Sequence, residues 1–126
     1  MRDFRQLRVW SEAHRLVLAI YQVTASYPKQ ELYGLTSQMR RSAASIAANI
    51  AEGCGRAGSG DLHRFLSTAM GSATELEYFL LLSRDLELVV KEYKELDEQT
   101  RLVQRMLGSL VRKVDAGRKA SVTRDS

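Results

Sequence analysis

The sequence predicts an all-α fold, an antiparallel up-down-up-down four-helix bundle, from three observations. A single proline, Pro28, stands in 126 residues, whereas an all-β chain needs a turn signal every ~8 to 12 residues. Apolar residues recur at spacings of three and four along four separate stretches, the period of one helix face. The breaks between the stretches are short, which sets consecutive helices side by side in opposite senses. With 44% apolar and 27% charged residues, the chain has one domain's length, is too apolar for intrinsic disorder and can bury a core of its own.

The first helix is expected over about 4–26, with Asp3 as N-cap, Gln6 three residues on, and a stripe of Leu7, Trp10, His14, Val17, Tyr21 and Thr24. Pro28 ends it, because the residue before a proline is biased out of the helical region. The second helix is expected over about 32–54 on the face Leu32, Leu35, Met39, Ala43, Ile46, Ile50 and Cys54. Four glycines between Gly53 and Gly60 form the clearest break. A third helix follows over about 60–85, with Ser59 as N-cap, Asp61 at the positive end of the helix dipole, and the stripe Leu62, Phe65, Ala69, Ala73, Leu76, Leu80. The fourth, over about 90–115, is the most regular: Val89, Tyr93, Leu96, Thr100, Val103, Leu107, Leu110, Val114. Residues 1–115 thus read as one bundle. Residues 116–126 lack apolar periodicity and read as a mobile basic tail.

The formal charge is +4, distributed as +4 over residues 1–70, −2 over 71–115 and +2 over 116–126. Such a surface permits contact with a polyanion through counterion release and equally suits plain solvation. One cysteine, Cys54, excludes an internal disulfide, and one Cys with two His excludes a Cys/His metal cluster. The charged beginning MRDFRQLRVW lacks a signal-peptide core, and no stretch approaches ~20 uncharged apolar residues. A cytoplasmic protein without membrane contact is expected.

The second helix is unusual on its far side, because no charged residue occurs from Ser42 to Ala51. A polar stripe of Gln38, Ser42, Ser45, Asn49 and Glu52 is flanked by Ala44, Ala48 and Ala51, and the third helix offers Thr68, Gly71, Ser72 and Glu75. With a hairpin turning near residue 57, partner numbers sum to about 114, which sets Ser42 near Ser72, Ser45 near Ala69 and Arg41 within reach of Glu75. Small residues of this kind are acceptable on any helix surface; the preferred reading is a seam between subunits formed by Gln38, Arg41, Ser45, Ala48, Asn49, Ser72 and Glu75.

The strings LRVWSEAHRL, YPKQELYGLTSQMRRSAASIAANIAEG and FLSTAMGSATELE resemble those of the four-helix-bundle proteins encoded in intervening sequences of bacterial 23S ribosomal RNA genes. The pattern P-x-x-E-x-Y-G-L-x-x-Q-x-R-R-S/A-A-x-S-I-x-x-N-I-A-E-G, here Pro28 through Gly53, is long and specific, and the resemblance covers most of residues 4–114. That family is similar in turn to the accessory variability protein of diversity-generating retroelements. The resemblance implies a bundle assembled as a ring of five subunits, with a basic surface for RNA or DNA and a reverse transcriptase as a partner. One departure falls between the third and fourth helices, where the family usually has Leu-Gly and this chain has Leu86-Glu87.

Gly53 to Gly58 matches G-x-G-x-x-G, but that fingerprint must follow a strand, and here a helix is expected before it. Backbone N–H groups at the start of the third helix, with Arg56 and Arg64, offer a weaker anion role. Neither His14 nor His63 has a Glu three residues before it, as a di-metal bundle site needs. His14, Trp10 and Tyr21 read as packing residues, Cys54 as a small hydrophobe, and Glu75 and Glu77 face different sides. No enzyme, cofactor or metal is therefore expected.

The basic residues remain. Arg5 and Arg8 at the start of the first helix, Arg40 and Arg41 in the second, and Arg118 and Lys119 in the tail are the candidate nucleic-acid contacts, with Arg2, Arg112, Lys113 and Arg124 nearby in sequence. Arginine suits bidentate phosphate contact. No aromatic residues interleave with these arginines in a base-stacking pattern and no helix-turn-helix spacing occurs, so only phosphate contacts are predicted. Two function classes follow: an oligomeric accessory protein that binds RNA or DNA with little sequence preference, or an oligomeric scaffold for other proteins.

Overall fold

The computed structural model describes residues 3–56 and 58–125, with the backbone alone at residues 59 and 119–125. Its four helices are α1 (Arg8–Thr24), α2 (Leu35–Cys54), α3 (Ser59–Asp85) and α4 (Tyr93–Asp125), with 3-10 turns at Phe4–Gln6 and Lys29–Glu31. There is no strand among the described residues. α2 packs on α1 and α3, and α4 packs on α3 and α1, so the four enclose one core. No helix is long and apolar enough to cross a membrane among the described residues.

α1 is shorter than its sequence pattern. Asp3 accepts from the Arg5 N–H at 3.0 Å and caps the 3-10 turn, while Leu7 is extended at φ −81°, ψ 125° and separates that turn from the helix. The helix ends at Thr24, whose hydroxyl donates back to the Ile20 carbonyl at 2.6 Å. Its buried row is Val9, Ala13, Leu16, Ile20 and Thr24, one residue out of phase with the predicted stripe. Neighbouring stripes differ by only 100°, and the core takes the small Ala13 where the pattern offered His14. His14 and Tyr21 are exposed, and His14 stacks on the half-buried Trp10 with ring centroids 5.0 Å apart.

α2 begins at Leu35 because Gly34 sits at φ −110°, ψ −110°, outside the helical region, and this leaves Leu32 exposed. From Leu35 on, the predicted face is the buried one. Gly53 belongs to the helix and not to the break: a Cβ there would lie 3.0 Å from Leu62 Cδ1 and 3.1 Å from Phe65 Cβ. Glycine is what lets α2 and α3 approach at this point.

Gly58, not Ser59, is the N-cap of α3. The core residue in its second turn is Leu66, with Phe65 half-buried on the flank beneath the Arg64 guanidinium, 4.6 Å from its ring centroid. At its other end Leu88 N–H bonds the Ser83 carbonyl and Glu87 N–H the Arg84 carbonyl, both at 2.9 Å, with Glu87 at φ +61°. This is a Schellman turn, whose left-handed residue is usually glycine. The position at which this chain departs from the Leu-Gly step is the one that requires the left-handed backbone.

α4 starts at Tyr93, with Val89 buried in the connection before it, and Leu96, Thr100, Val103 and Leu107 fill the core. It continues to Asp125, so the boundary expected at 115 is corrected. Lys, Arg and Ala favour helix, and the lone Gly117 costs only ~1 kcal/mol, too little to stop it. Packing on the core ends at Val114 among the described residues.

Candidate nucleic-acid interface

The small polar residues of α2 and α3 meet within one chain. Ser42 Oγ donates to Glu75 Oε1, Ser45 and Ser72 share a hydrogen bond of 2.8 Å, and Asn49 Nδ2 donates to the Ser45 carbonyl at 2.8 Å. These partner numbers sum to 117, three more than expected, so Ser45 faces Ser72 and not Ala69. The connection itself falls where expected, with α2 ending at Cys54 and α3 starting at Ser59, so the shift reflects how the two helix faces pack and not a later turn. Arg41 consequently makes no ion pair with Glu75, whose carboxylate faces Ser42. Gln38, Arg41 and Ala48 are exposed, and they form the free edge of this seam together with the exposed flank of Glu75.

The six candidate cations do not form one patch. Arg5 is exposed, 3.4 Å from Asp3 and with its guanidinium 4.6 Å from the centroid of the Phe4 ring. Arg8 is exposed at the first residue of α1. Arg40 lies at the opposite end of α1, ~24 Å away along the axis at 1.5 Å per residue. There its Nε donates to Thr24 Oγ1 at 2.9 Å, a terminal nitrogen donates to the Tyr21 carbonyl at 3.3 Å, and its charge lies 4.6 Å from the Tyr21 ring centroid. Arg40 is therefore a clamp on the C-terminus of α1, a place where carbonyls and the helix dipole attract a cation. Arg41, one residue on, points to solvent. Arg118 is exposed, 3.9 Å from Asp115. The side chain of Lys119 lies outside the described residues, as do Arg2 and the side chain of Arg124.

A cationic groove lies between α3 and α4 instead, in the segment whose net charge is negative. It measures about 470 Å³ and is lined by Met70, Arg101, Gln104, Arg105, Gly108 and Arg112. Gly108 lies in its floor, where a Cβ would meet a terminal nitrogen of Arg112 at 3.4 Å, an ordinary contact. Arg101 is held locally, at 2.9 Å from Asp97 and 3.1 Å from Glu77, and these carboxylates push its pKa further up. Arg105 and Arg112 are exposed and have no ion partner among the described residues. Sequence reading passed over Arg101 and Arg105. The signal was the spacing of Arg101, Arg105, Gly108 and Arg112, the same four-three-four period that marks apolar faces, hidden when charge is summed by segment and not by face.

The family model described as 23S rRNA-intervening sequence protein matches residues 5–109. The chain belongs to that family. A solved structure from Bacteroides thetaiotaomicron, described as a protein with unknown function from the S23 ribosomal protein family, is similar at 25% identity and a TM-score of 0.74, covering 82% of this chain and 97% of that one. No match is found among functionally curated proteins. Within Pro28–Gly53, the structure gives Arg40, Ser42, Ser45 and Gly53 roles in helix packing. Among the described residues no group of three or more His, Cys, Asp or Glu is placed to hold a metal ion.

Proposed function

We propose that this member of the 23S rRNA-intervening sequence family is a non-enzymatic, cytoplasmic accessory protein that assembles with itself and binds RNA or DNA through phosphates with little sequence preference. The observation that carries the reading is the groove of Arg105 and Arg112, two exposed cations without ion partners among the described residues. Those two residues stand ~10 Å apart along α4, a separation that suits two phosphates of one strand. Exposed Ala48 in the uncharged stretch of α2, with exposed Gln38 and Arg41 beside it, supports self-association. The descending register from Ser42–Glu75 to Ser45–Ser72 supports an up-down-up-down course, with α2 and α3 at one edge of each subunit. A ring of five such chains would carry +20 in total, and each added subunit contact with a strand becomes intramolecular once the first has formed.

Gel-shift titration against mixed RNA and DNA at ~50 mM salt tests the reading, with log affinity falling against log salt by about 0.7 to 0.9 per neutralised phosphate. Light scattering tests assembly: Ala48→Glu should lower the mass by placing a charge in a desolvated contact. A protein-binding scaffold is the second reading, favoured by the aromatic surface at Tyr33, 92% exposed, and Tyr78, 56% exposed. No retardation of either nucleic acid at tens of micromolar protein would select it.

A further inference from the structure

The glycine-rich end of the bundle holds a cavity of about 890 Å³, within the ~300 to 1,000 Å³ of small-molecule pockets. Its walls are apolar: Leu7 and Val9 at the start of α1, Leu62 on α3, Met106 and Leu110 on α4. Arg8, Arg56 and Lys113 also line it, and no acidic residue does among the described ones. Arg56 is held at 3.0 Å by Glu52, whereas Arg8 and Lys113 have no ion partner among the described residues. α1 begins here without a side-chain cap, so the positive end of its dipole adds to these charges.

Apolar walls left in water cost about 25 cal/mol per Å², and clustered cations without counter-charge repel one another. One kind of ligand relieves both: an apolar chain for the walls and an anion for the cations. We propose that this cavity binds a single-chain amphiphile with an anionic head, carboxylate or phosphate, its chain against Leu62, Met106 and Leu110 and its head at Arg8 and Lys113.

Isothermal titration of the full chain with decanoate, decyl phosphate, decanol and decyltrimethylammonium tests this. Both anions should bind at least about tenfold more tightly than decanol, with no heat from the ammonium; the tighter of the two anions identifies the head. Arg8→Gln with Lys113→Gln should weaken decanoate by about tenfold or more, and Ser109→Trp, from a half-buried lining position, should abolish binding by filling the space. Should the tryptophan variant not fold, alkylation of Cys54 in the wild type locates the ligand, because this sole cysteine lines the cavity and saturating decanoate should slow its reaction severalfold. Equal binding of decanol, indifference to the double substitution, or neither heat nor protection would overturn the proposal. Phosphatidylglycerol vesicles form the membrane arm: co-sedimentation without heat from free decanoate would overturn the assignment to a small molecule.

Discussion

The two ends of α1 treat cations in opposite ways. At the C-terminus of α1, Arg40 bonds Thr24 Oγ1 and the Tyr21 carbonyl. At the N-terminus of α1, Arg8 borders an open cavity together with Lys113, both without ion partners among the described residues. Helix C-termini present unpaired carbonyls and the negative end of the dipole, so a cation there finds its partner in its own chain. Helix N-termini present N–H groups and positive potential, so a cation there is held only where a carboxylate stands beside it, as Asp61 does beside Arg64, and Arg8 has no such neighbour among the described residues. At the two ends of α1, position along the helix dipole separates the structural Arg40 from the available Arg8.

The comparison is broken most directly at Arg40. Arg40→Ala should destabilise by about 1.5 to 3 kcal/mol, the range for hydrogen bonds to charged groups, read from urea unfolding. Unchanged stability would mean the clamp contributes nothing. Beside the cavity, Gly53→Ala should cost about 1 to 3 kcal/mol through overpacking against Leu62 and Phe65, and the same denaturation curve reports it. In the turn after α3, Glu87→Gly should raise stability by ~1 kcal/mol, because a side chain at φ +61° carries left-handed strain that glycine lacks.

The smallest effect belongs to Tyr27. Burial pushes its phenol up from the ordinary value of 10.0, and Glu92 adds to this. The Ser83 hydroxyl works the other way, but it donates to Met39 Sδ at 3.3 Å, and the Tyr27 hydroxyl has no hydrogen-bond partner among the described residues. With the folded pKa above the unfolded one, the neutral phenol's contribution is complete below pH ~10 and is lost as pH rises toward the folded value. Tyr27→Phe should therefore fold as stably at neutral pH and lose less stability between pH 9 and 11 than the parent, which thermal melts across that range can follow.

The all-α class, the four helices and the core faces of α2 and α4 were legible because their apolar periods are regular and glycine or proline punctuates the chain. The phase of α1 was not. Two adjacent stripes there are both apolar, and packing chose the one containing Ala13 over the one containing His14. The α2 to α3 register differs by three although the turn falls where expected, because side-chain packing, and not the midpoint of the loop, sets which residues of two helices face each other. The candidate site was legible only in residue type. Periodicity does not say that Arg40 reaches across to α1, and the groove of Arg105 and Arg112 emerges only when charge is read around a helix and not along it.

A single comparison addresses the division between structural and available arginines: fluorescence anisotropy of a labelled single-stranded RNA across a salt series, with Arg105→Gln plus Arg112→Gln set against Arg40→Gln. The double substitution should weaken binding and shallow the log-log salt slope by about 1.4 per subunit engaged, two phosphates at ~0.7 each, with stability unchanged. Arg40→Gln should lower stability and leave affinity and slope intact wherever the chain remains folded. Equal loss of affinity in the two variants, or full affinity in the double one, would contradict the account.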